Sequence, residues 1–263
     1  MTESGVRIAL VYPDLLGTYG DSGNATILAQ RLRWRGRPAE VRTVRAGEAV
    51  PDSCDLYVVG GGEDQPQALA ARQLGRPGPL HRAVDAGAAV LAVCAGLQIL
   101  GETFVGPDGV EAAGLGLLDC RSIRRRVPRA VGELIVDPDP GSGLPPLTGY
   151  ENHGGVTLLG PAARPGGRVR AGVGNGAGGG DGIWSGRIWG TYLHGPVLAR
   201  NPALADLLLG WVVGELDPLD DGEIDALREE RLAHAGAEAA SAARRRTAEG
   251  LAARARRTLR GTR

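Results

Sequence analysis

The run from Ala88 to Val93 is apolar throughout and ends at Cys94, two residues before Gly96. A helix-like pattern begins directly after it. A buried strand that turns sharply into a helix at a nucleophilic side chain is a nucleophile elbow, a feature of α/β folds. Backbone N–H groups at the start of that helix would favour a thiolate. The alternative at this point is a structural cysteine buried in the core.

Strands and helices alternate in the part of the chain that precedes Cys94. The apolar segments predict strands at residues 6–12, 39–44, 55–59 and 88–93, and helices are predicted at residues 24–35, 66–74 and 79–86. Such alternation indicates an α/β fold with a mostly parallel central sheet flanked by helices. Sites in these sheets form at the carboxyl ends of the strands. Both Cys94 and the glycine run at residues 60–62 occupy such ends, so we expect them to lie close together.

The second half of the chain has a different character. Short apolar segments separated by Gly and Pro predict a β-rich region at about residues 114–193, and residues 174–182 predict a flexible loop or a hairpin tip. Residues 203–216 predict an apolar helix. We expect a domain at residues 1–216 and an Ala- and Arg-rich helical C-terminal extension at residues 217–263. That extension is either a solvated helix or a docking helix for a partner or an anionic surface.

Composition excludes several classes of function. The formal net charge is zero, so nothing indicates binding to nucleic acid or to a membrane surface. The three cysteines, Cys54, Cys94 and Cys120, have no CxxC spacing, so we expect no disulfide framework and no metal site. Cys54 and Cys120 are expected to be inert. A cytoplasmic location follows from this cysteine usage, from the absence of a signal-peptide pattern and from a first strand too short for membrane insertion.

A reactive thiol needs a base, and the chain has four histidines. His81 falls on a predicted helix and His234 in the charged tail, so both are expected on the surface. His194 follows an apolar segment and precedes a sharp turn, which places it, like Cys94, at the carboxyl end of a strand. We therefore favour His194 as the general base, with His153 as its competitor.

An oxyanion hole would complete such a site. The candidates are the backbone N–H groups of Gly61 or Gly62, together with those of Ala95 or Leu97. Glycine suits this position because the backbone then approaches a substrate without an intervening Cβ. An ordinary turn at the end of a strand is the alternative for the glycine run.

Several segments together resemble a known family. They are the elbow at 94–98 (Cys-Ala-Gly-Leu-Gln), the glycine segment at 60–65, and the segments at 19–24 (Tyr-Gly-Asp-Ser-Gly-Asn), 114–118 (Gly-Leu-Gly-Leu-Leu) and 149–153 (Gly-Tyr-Glu-Asn-His). With His194, the elbow is typical of class I (triad) glutamine amidotransferases. The whole set resembles the CobB/CobQ-like branch, and within it the GatD-type glutaminase subunits of lipid II isoglutaminyl synthase. The resemblance extends over about residues 6–212, and the tail from residue 217 resembles no family.

The resemblance implies hydrolysis of L-glutamine to glutamate and ammonia through a cysteinyl thioester. It also implies a heterodimer with a Mur-ligase-like synthetase subunit of the MurT type. That partner would use the ammonia to amidate the D-glutamate of lipid II to D-isoglutamine in peptidoglycan synthesis. ATP and Mg²⁺ are expected on the partner, and we expect no cofactor on this chain, because it has no Gly-x-x-x-x-Gly-Lys run and no lysine.

The resemblance also assigns roles to individual residues. Cys94 would be the nucleophile and His194 the general base. Gln98, one helical turn after Cys94, would help to hold the glutamine. Arg129, which has the family's spacing before a glycine, would pair with the α-carboxylate, a group that its forked guanidinium suits. Residues 124–126 are also arginines and remain alternatives.

One departure from the family concerns the acid that orients the base. Many class I amidotransferases contain His-x-Glu, whereas here His194 is followed by Gly195 and Pro196. The acid then comes either from elsewhere in the chain, with Glu151 as a candidate, or from a partner protein. We favour the partner, because a triad completed only in a complex would not waste glutamine.

Three other functions stay open at this point. A related amidotransferase could serve another acceptor, such as a corrinoid or a nucleotide precursor, with the same glutaminase chemistry. The chain could be a catalytically silent scaffold subunit, which the presence of both Cys94 and His194 argues against. A thiol hydrolase of another class is the third alternative.

Overall fold

The computed structural model describes residues 5–235, and this part of the chain forms three β-sheets with helices around them. The strands are β1 (Val6–Val11), β2 (Ala39–Val44), β3 (Leu56–Val59), β4 (Ala89–Val93), β5 (Thr103–Val105), β6 (Glu111–Ala113), β7 (Cys120–Arg124), β8 (Ala130–Pro138), β9 (Leu147–His153), β10 (Gly155–Leu159), β11 (Gly167–Ala171), β12 (Gly180–Asp181), β13 (Ile183–Ser185) and β14 (Ile188–Thr191). The helices are α1 (Gly23–Trp34), α2 (Asp64–Leu74), α3 (Pro79–Asp85), α4 (Ala95–Leu100), α5 (Val197–Arg200) and α6 (Pro202–Val213), with a 3₁₀ turn at Pro140–Ser142. Residues 222–235 are also helical.

The largest sheet has six strands in the order β13-β14-β4-β3-β1-β2. All neighbours pair in parallel except β13 and β14, which form an antiparallel hairpin. Strand β4 is buried along its whole length, as expected for a central strand that is covered on both faces. Helix α6 packs on β4, and α1 packs on β1 and β2. The predicted α/β fold with a mostly parallel sheet is confirmed.

The expected β-rich half is also confirmed. Two further sheets, ordered β10-β7-β5-β6 and β12-β11-β8-β9, form from residues after α4 and are mostly antiparallel. Strands β13 and β14 then return to the main sheet. The glycine-rich residues 174–182 complete the β11–β12 hairpin, and Asn175 anchors them, because its buried side-chain amide forms two hydrogen bonds with the backbone of Gly182. Of the two predictions for residues 174–182, the hairpin tip is confirmed and the flexible loop is wrong.

The segment after α6 is tied to α1 by a buried ion cluster. Arg31 is 1 % exposed and forms hydrogen bonds of 2.6–2.8 Å with both carboxylate oxygens of Asp206 and of Asp221. Arg35 adds a bond of 2.7 Å to Asp206. Asp221 belongs to the expected extension at residues 217–263, so the extension begins as part of the packed structure. Its residues after 235 lie outside the described part of the chain.

We expect the Asp221→Asn variant to unfold more easily than the wild type. The substitution keeps the shape of the side chain but leaves the buried Arg31 guanidinium with only one carboxylate partner, a loss of about 1–3 kcal/mol in the free energy of unfolding. Urea denaturation measures this loss. The control is Asp220→Asn, at an exposed neighbouring position, and equal effects of the two substitutions would contradict the cluster's role.

Two further expectations concern the exposure of two histidines and the presence of membrane-spanning helices. His234 is exposed, as expected, but His81 is half-buried, because its Nδ1 accepts from the Gly78 N–H and its Nε2 lies 2.8 Å from the Leu115 carbonyl oxygen. The expectation of a surface His81 is therefore wrong. No helix within residues 5–235 is both long and apolar enough to span a membrane.

Candidate active site

Cys94 stands at the turn between β4 and α4 in a strained backbone conformation. Its φ is 51° and its ψ is −104°, a combination that costs a residue other than glycine about 1–3 kcal/mol. The turn is held on both sides, because the Cys94 N–H donates to the Thr191 carbonyl and the Gln98 N–H donates to the Cys94 carbonyl, at 2.8 and 3.0 Å. A Cβ at Gly96 would lie 2.3 Å from the Val59 carbonyl oxygen, so only glycine fits there. The predicted strand–turn–helix arrangement is confirmed.

His194 lies three residues beyond β14, the strand that pairs in parallel with β4. Thr191 is the register partner of Val93, so the segments that follow these two residues leave the sheet at the same edge. A bridge to Tyr150 fixes the His194 backbone through two N–H···O=C bonds of 2.7 and 3.3 Å. The structure therefore places the predicted nucleophile and the predicted base after neighbouring strands.

Asp21 is the acidic partner of His194. Its carboxylate is fully buried, and its Oδ2 accepts hydrogen bonds from His194 Nδ1 at 3.1 Å and from the Gly61 N–H at 2.8 Å. It follows the carboxyl end of β1 and so lies at the same edge of the sheet as Cys94. In the chain by itself, Asp21 fills the position for which we expected an acid from a partner. The carboxylate of Glu151, the candidate within the chain, lies 3.3 Å from His153 Nε2 and accepts from the N–H groups of Val173 and Gly174, and His194 is not among its hydrogen-bond partners within residues 5–235.

The contact with Asp21 sets the protonation of the His194 ring. A carboxylate only accepts, so a proton lies on Nδ1, and Nε2 is left for the thiol. Nε2 is buried and has no hydrogen-bond partner within residues 5–235, and Cys94 is among the groups whose charge acts on the ring. Burial lowers the pKa of His194, but the hydrogen bond with Asp21 and the charges of Cys94 and Asp21 outweigh burial and raise that pKa to about 10. Such a ring can take the thiol proton and remain as an imidazolium beside the thiolate.

The glycine run at residues 60–62 binds the Asp21 carboxylate and also lines the cleft. The Gly61 N–H donates to Asp21, so the expectation of Gly61 as an oxyanion donor is wrong. A Cβ on Gly61 would lie 2.6 Å from His194 Cε1, so glycine is what allows the acid and the imidazole to meet. Gly62 lines the cleft with Cys94. Leu97 is in the first turn of α4, where N–H groups lack an acceptor within the helix. Gly62 and Leu97 stay the predicted oxyanion donors.

Cys94 opens onto a cleft of about 240 Å³, which is smaller than the roughly 300–1,000 Å³ of pockets for drug-sized ligands. Arg129 lines this cleft. Its guanidinium donates to the side chain of Asn152, to the Asn152 carbonyl at 3.0 Å and to the Tyr19 hydroxyl at 3.3 Å. Arg124, one of the alternatives, also lines the cleft but pairs with Asp64 at 3.4 Å. The cleft therefore suits a small ligand that carries a carboxylate.

Gln98 lines the cleft as well, but both ends of its amide are used within the protein. Its Nε2 donates to the Tyr192 hydroxyl at 3.0 Å, and its Oε1 accepts from Gln67 Nε2 at 2.9 Å. The Tyr192 hydroxyl also forms a hydrogen bond of 2.6 Å with Thr157 Oγ1. Gln98 is thus part of a fixed floor beside the thiol, and its contact with a bound glutamine stays a prediction.

His153, the competitor for the role of base, is held by other groups. Its Nδ1 lies 3.0 Å from the Gly155 carbonyl oxygen and its Nε2 lies 3.3 Å from Glu151 Oε2. The ring stacks on Tyr192 with centroids 3.9 Å apart. Because both ring nitrogens face acceptors, neither is left to take a proton from Cys94. His194 is the histidine that the geometry favours as the base.

Comparison with known sequences agrees with this geometry. The sequence profile of the CobB/CobQ-like glutamine amidotransferase domain matches residues 7–202. The chain belongs to the CobB/CobQ-like glutamine amidotransferase family. This family membership confirms the resemblance inferred from the elbow and the segments around it.

Individual relatives within the CobB/CobQ-like family are similar over most of the chain. The chain is 36 % identical over 199 residues to the protein named lipid II isoglutaminyl synthase (glutamine-hydrolyzing) subunit GatD of Staphylococcus aureus strain N315, covering 74 % of this chain and 79 % of that protein. It is 30 % identical over 203 residues to the protein of the same name from Streptococcus pneumoniae strain ATCC BAA-255 / R6, covering 76 % and 77 %. A crystal structure of a glutamine amidotransferase, 21 % identical, has a TM-score of 0.51 over 78 % of this chain and 98 % of that chain, which supports the fold alone.

Two residues beside the predicted catalytic pair of this CobB/CobQ-like domain, Cys94 and His194, were not singled out from the sequence. Asp21 and Tyr19 had appeared only within a segment of family pattern. The signal that would have found them is their position in the loop that follows β1, just before α1, at the edge of the sheet where Cys94 also lies. The other cysteines fit the expectation of inert thiols, because both are buried and burial raises the pKa of Cys54 and, to about 12, that of Cys120. Residues 5–235 contain no group of three or more His, Cys, Asp or Glu that could hold a metal ion.

Proposed function

We propose that this chain is the glutaminase subunit of a lipid II isoglutaminyl synthase. It hydrolyses L-glutamine to glutamate and ammonia at Cys94 and supplies the ammonia to a Mur-ligase-like partner of the MurT type, with which it forms a heterodimer. The observation that carries the proposal is the Cys94–His194–Asp21 arrangement beside a small cleft that Arg129 lines, in a chain of the CobB/CobQ-like family. The relatives named GatD support the choice of lipid II as the destination of the ammonia.

The first half of the reaction forms a thioester. His194 takes the proton from Cys94 Sγ, and the thiolate attacks the side-chain amide carbon of glutamine. The oxygen of that amide becomes an oxyanion, which the N–H groups of Gly62 and Leu97 stabilise. The imidazolium of His194 then donates its proton to the amide nitrogen, and ammonia leaves as the tetrahedral intermediate collapses to the thioester.

The second half of the reaction releases glutamate. Water attacks the thioester carbon while His194 accepts one of its protons, and the proton returns to sulfur as the C–S bond breaks. Asp21 stays ionised throughout and stabilises the imidazolium that forms in both halves. Ammonia is consumed by the partner, which uses ATP and Mg²⁺ to activate the α-carboxyl of D-glutamate in lipid II and gives D-isoglutamine. A reducing cytoplasm suits a free catalytic thiol.

The test is glutamine hydrolysis by the purified full chain, alone and with the Mur-ligase-like partner, with lipid II and ATP as the second substrates. We expect glutamate from the complex and D-isoglutamine in lipid II. Absence of glutamine hydrolysis in both preparations would overturn the glutaminase assignment. Glutamine hydrolysis that amidates a corrinoid or nucleotide precursor, and not lipid II, would overturn the choice of acceptor. Full turnover by the chain alone would show that Asp21 suffices as the orienting acid.

Arg129→Lys is expected to weaken glutamine capture. Lysine keeps the positive charge but cannot form the paired hydrogen bonds of a guanidinium with the α-carboxylate, so KM should rise about 10-fold with kcat changed less than about 3-fold. Steady-state kinetics of glutamate formation measure both. The control is Arg168→Lys, an arginine that pairs with Asp137 on the β11–β8 ribbon. A fall in kcat alone would contradict the role of Arg129 as the substrate clamp.

A further inference from the structure

Tyr19 lies where the catalytic pair and the cleft meet. It belongs to the loop between β1 and α1, two residues before Asp21. The loop turns at Gly20, whose φ is +76°, and is fixed by the hydrogen bonds that the N–H groups of Gly20 and Gly23 donate to the Gly17 and Gly20 carbonyls. One short loop therefore carries both Tyr19 and the acid of the catalytic triad in a defined conformation.

The ring of Tyr19 contacts the general base. Its centroid lies 4.7 Å from that of the His194 imidazole, with the two planes at 61°, an edge-to-face geometry that aromatic pairs prefer. Asp21 holds the same imidazole by Nδ1. The ring is half-buried and His194 is fully buried, so Tyr19 separates the base from solvent on one side.

The hydroxyl of Tyr19 contacts two charged groups of the cleft. It donates to Glu63 Oε1 and accepts from Arg129 Nη2, each at 3.3 Å. Both partners line the cleft with Cys94. Their charges are complementary to the α-ammonium and the α-carboxylate of a free amino acid. Burial, together with the Glu63 charge, raises the pKa of the Tyr19 phenol, so the hydroxyl remains a neutral donor.

We propose that Tyr19 is a positioning residue with two separable parts: its ring holds the His194 imidazole beside Cys94, and its hydroxyl orients Arg129 and Glu63 toward the charged end of the substrate. The assignment of the substrate end rests on the proposed glutaminase function. The assignment of the ring does not, because it concerns the reactivity of Cys94 with any electrophile.

The two parts separate in two substitutions at one position. Tyr19→Phe keeps the ring and removes the hydroxyl, so we expect KM for glutamine to rise about 3- to 10-fold with kcat within about 2-fold of wild type. Tyr19→Ala removes both parts, so we expect kcat to fall about 10-fold or more as well. Both variants are measured in the full chain, with the Mur-ligase-like partner present.

A second measurement is independent of glutamine. Alkylation of Cys94 by iodoacetamide, followed by mass spectrometry of the modified peptide, reports how well the imidazole supports the thiolate. Tyr19→Phe should react at the wild-type rate, and Tyr19→Ala should react about 5-fold more slowly. The control is Tyr57→Phe, which removes a hydroxyl bonded to the backbone of Pro51 and Cys54 and should change neither KM nor the alkylation rate.

Different failures have different meanings. If Tyr19→Phe slows alkylation as much as Tyr19→Ala, or if Tyr19→Ala alkylates at the wild-type rate, the role of the ring is overturned. If Tyr19→Phe leaves KM unchanged, the role of the hydroxyl is overturned. If the wild type does not hydrolyse glutamine at all, the proposed function fails, and the alkylation rates still decide the role of the ring.

Discussion

Cys94→Ala is expected to lower the rate of glutamine hydrolysis by at least about 10⁴-fold. In the proposed mechanism the thiol forms the covalent intermediate, and no other side chain at the turn between β4 and α4 can replace it. Alanine keeps the Cβ and loses only the sulfur, so the elbow and the sheet around it should stay folded. Glutamate release at saturating glutamine measures the loss, and thermal unfolding of the same sample verifies the fold.

The matched control for this substitution is Cys54→Ala. Cys54 is also buried, at 6 % exposure, and it lies two residues before β3, at the amino end of that strand. The loss of this thiol should leave turnover within about 2-fold of wild type, as is usual for a substitution away from the reacting atoms. Substantial turnover by Cys94→Ala would remove the thioester route. Equal losses from the two substitutions would indicate a structural effect.

Asp21→Asn is expected to lower kcat by about 10²- to 10⁴-fold. The amide has no charge to stabilise the imidazolium, and it can present its NH₂ group to Nδ1 and so favour the wrong tautomer of His194. Binding of glutamine should change little, because Asp21 is fully buried behind the cleft. The control is Asp14→Asn, an exposed acid on the same loop whose carboxylate accepts from the Ala46 N–H. A loss of less than about 10-fold at Asp21 would mean that another acid orients the base.

The same substitution should change how stability depends on pH. The pKa of His194 is raised from 6.5 to about 10 in the folded chain, so protonation of His194 favours the fold. That contribution is complete below about pH 6.5 and disappears as the pH rises through 10. Asp21→Asn removes the hydrogen bond and the charge that Asp21 contributes to this rise in pKa. The difference in the free energy of unfolding between wild type and Asp21→Asn should therefore be largest near pH 6 and shrink toward pH 10, as measured by urea denaturation at several pH values.

The fold and the placement of the proposed catalytic pair, Cys94 and His194, followed from local sequence patterns. A continuous apolar run that ends at Cys94 and another that ends just before His194 each predict a buried strand with a polar residue at its carboxyl end. Carboxyl ends of parallel strands meet at one edge, so the pattern alone predicts that the two residues converge. The parallel pairing of β4 with β14 agrees with this expectation, because it places the two residues after neighbouring strands at one edge of the sheet.

The acid and the role of Gly61 did not follow from local patterns. Asp21 reaches His194 across a distance of 173 positions in the chain, and no periodicity encodes such a contact. It depends on the strand order, in which β1 lies beyond β3 from β4. The same order decides that the Gly61 N–H points at a carboxylate and not into the cleft. The number of residues between His194 and an acid in the sequence therefore does not identify the acid that orients the imidazole.

The order in which the catalytic groups occur along the chain affects when the site can exist during synthesis. Asp21 is made first, Cys94 next and His194 last, and β14 has to insert beside β4 before the base stands next to the thiol. A chain still growing on the ribosome that has Cys94 but not yet His194 lacks the proposed base for the sulfur. If His194 is the base, as proposed, hydrolysis requires that the last strand of the main sheet has been placed, and incomplete chains would not consume the cell's glutamine.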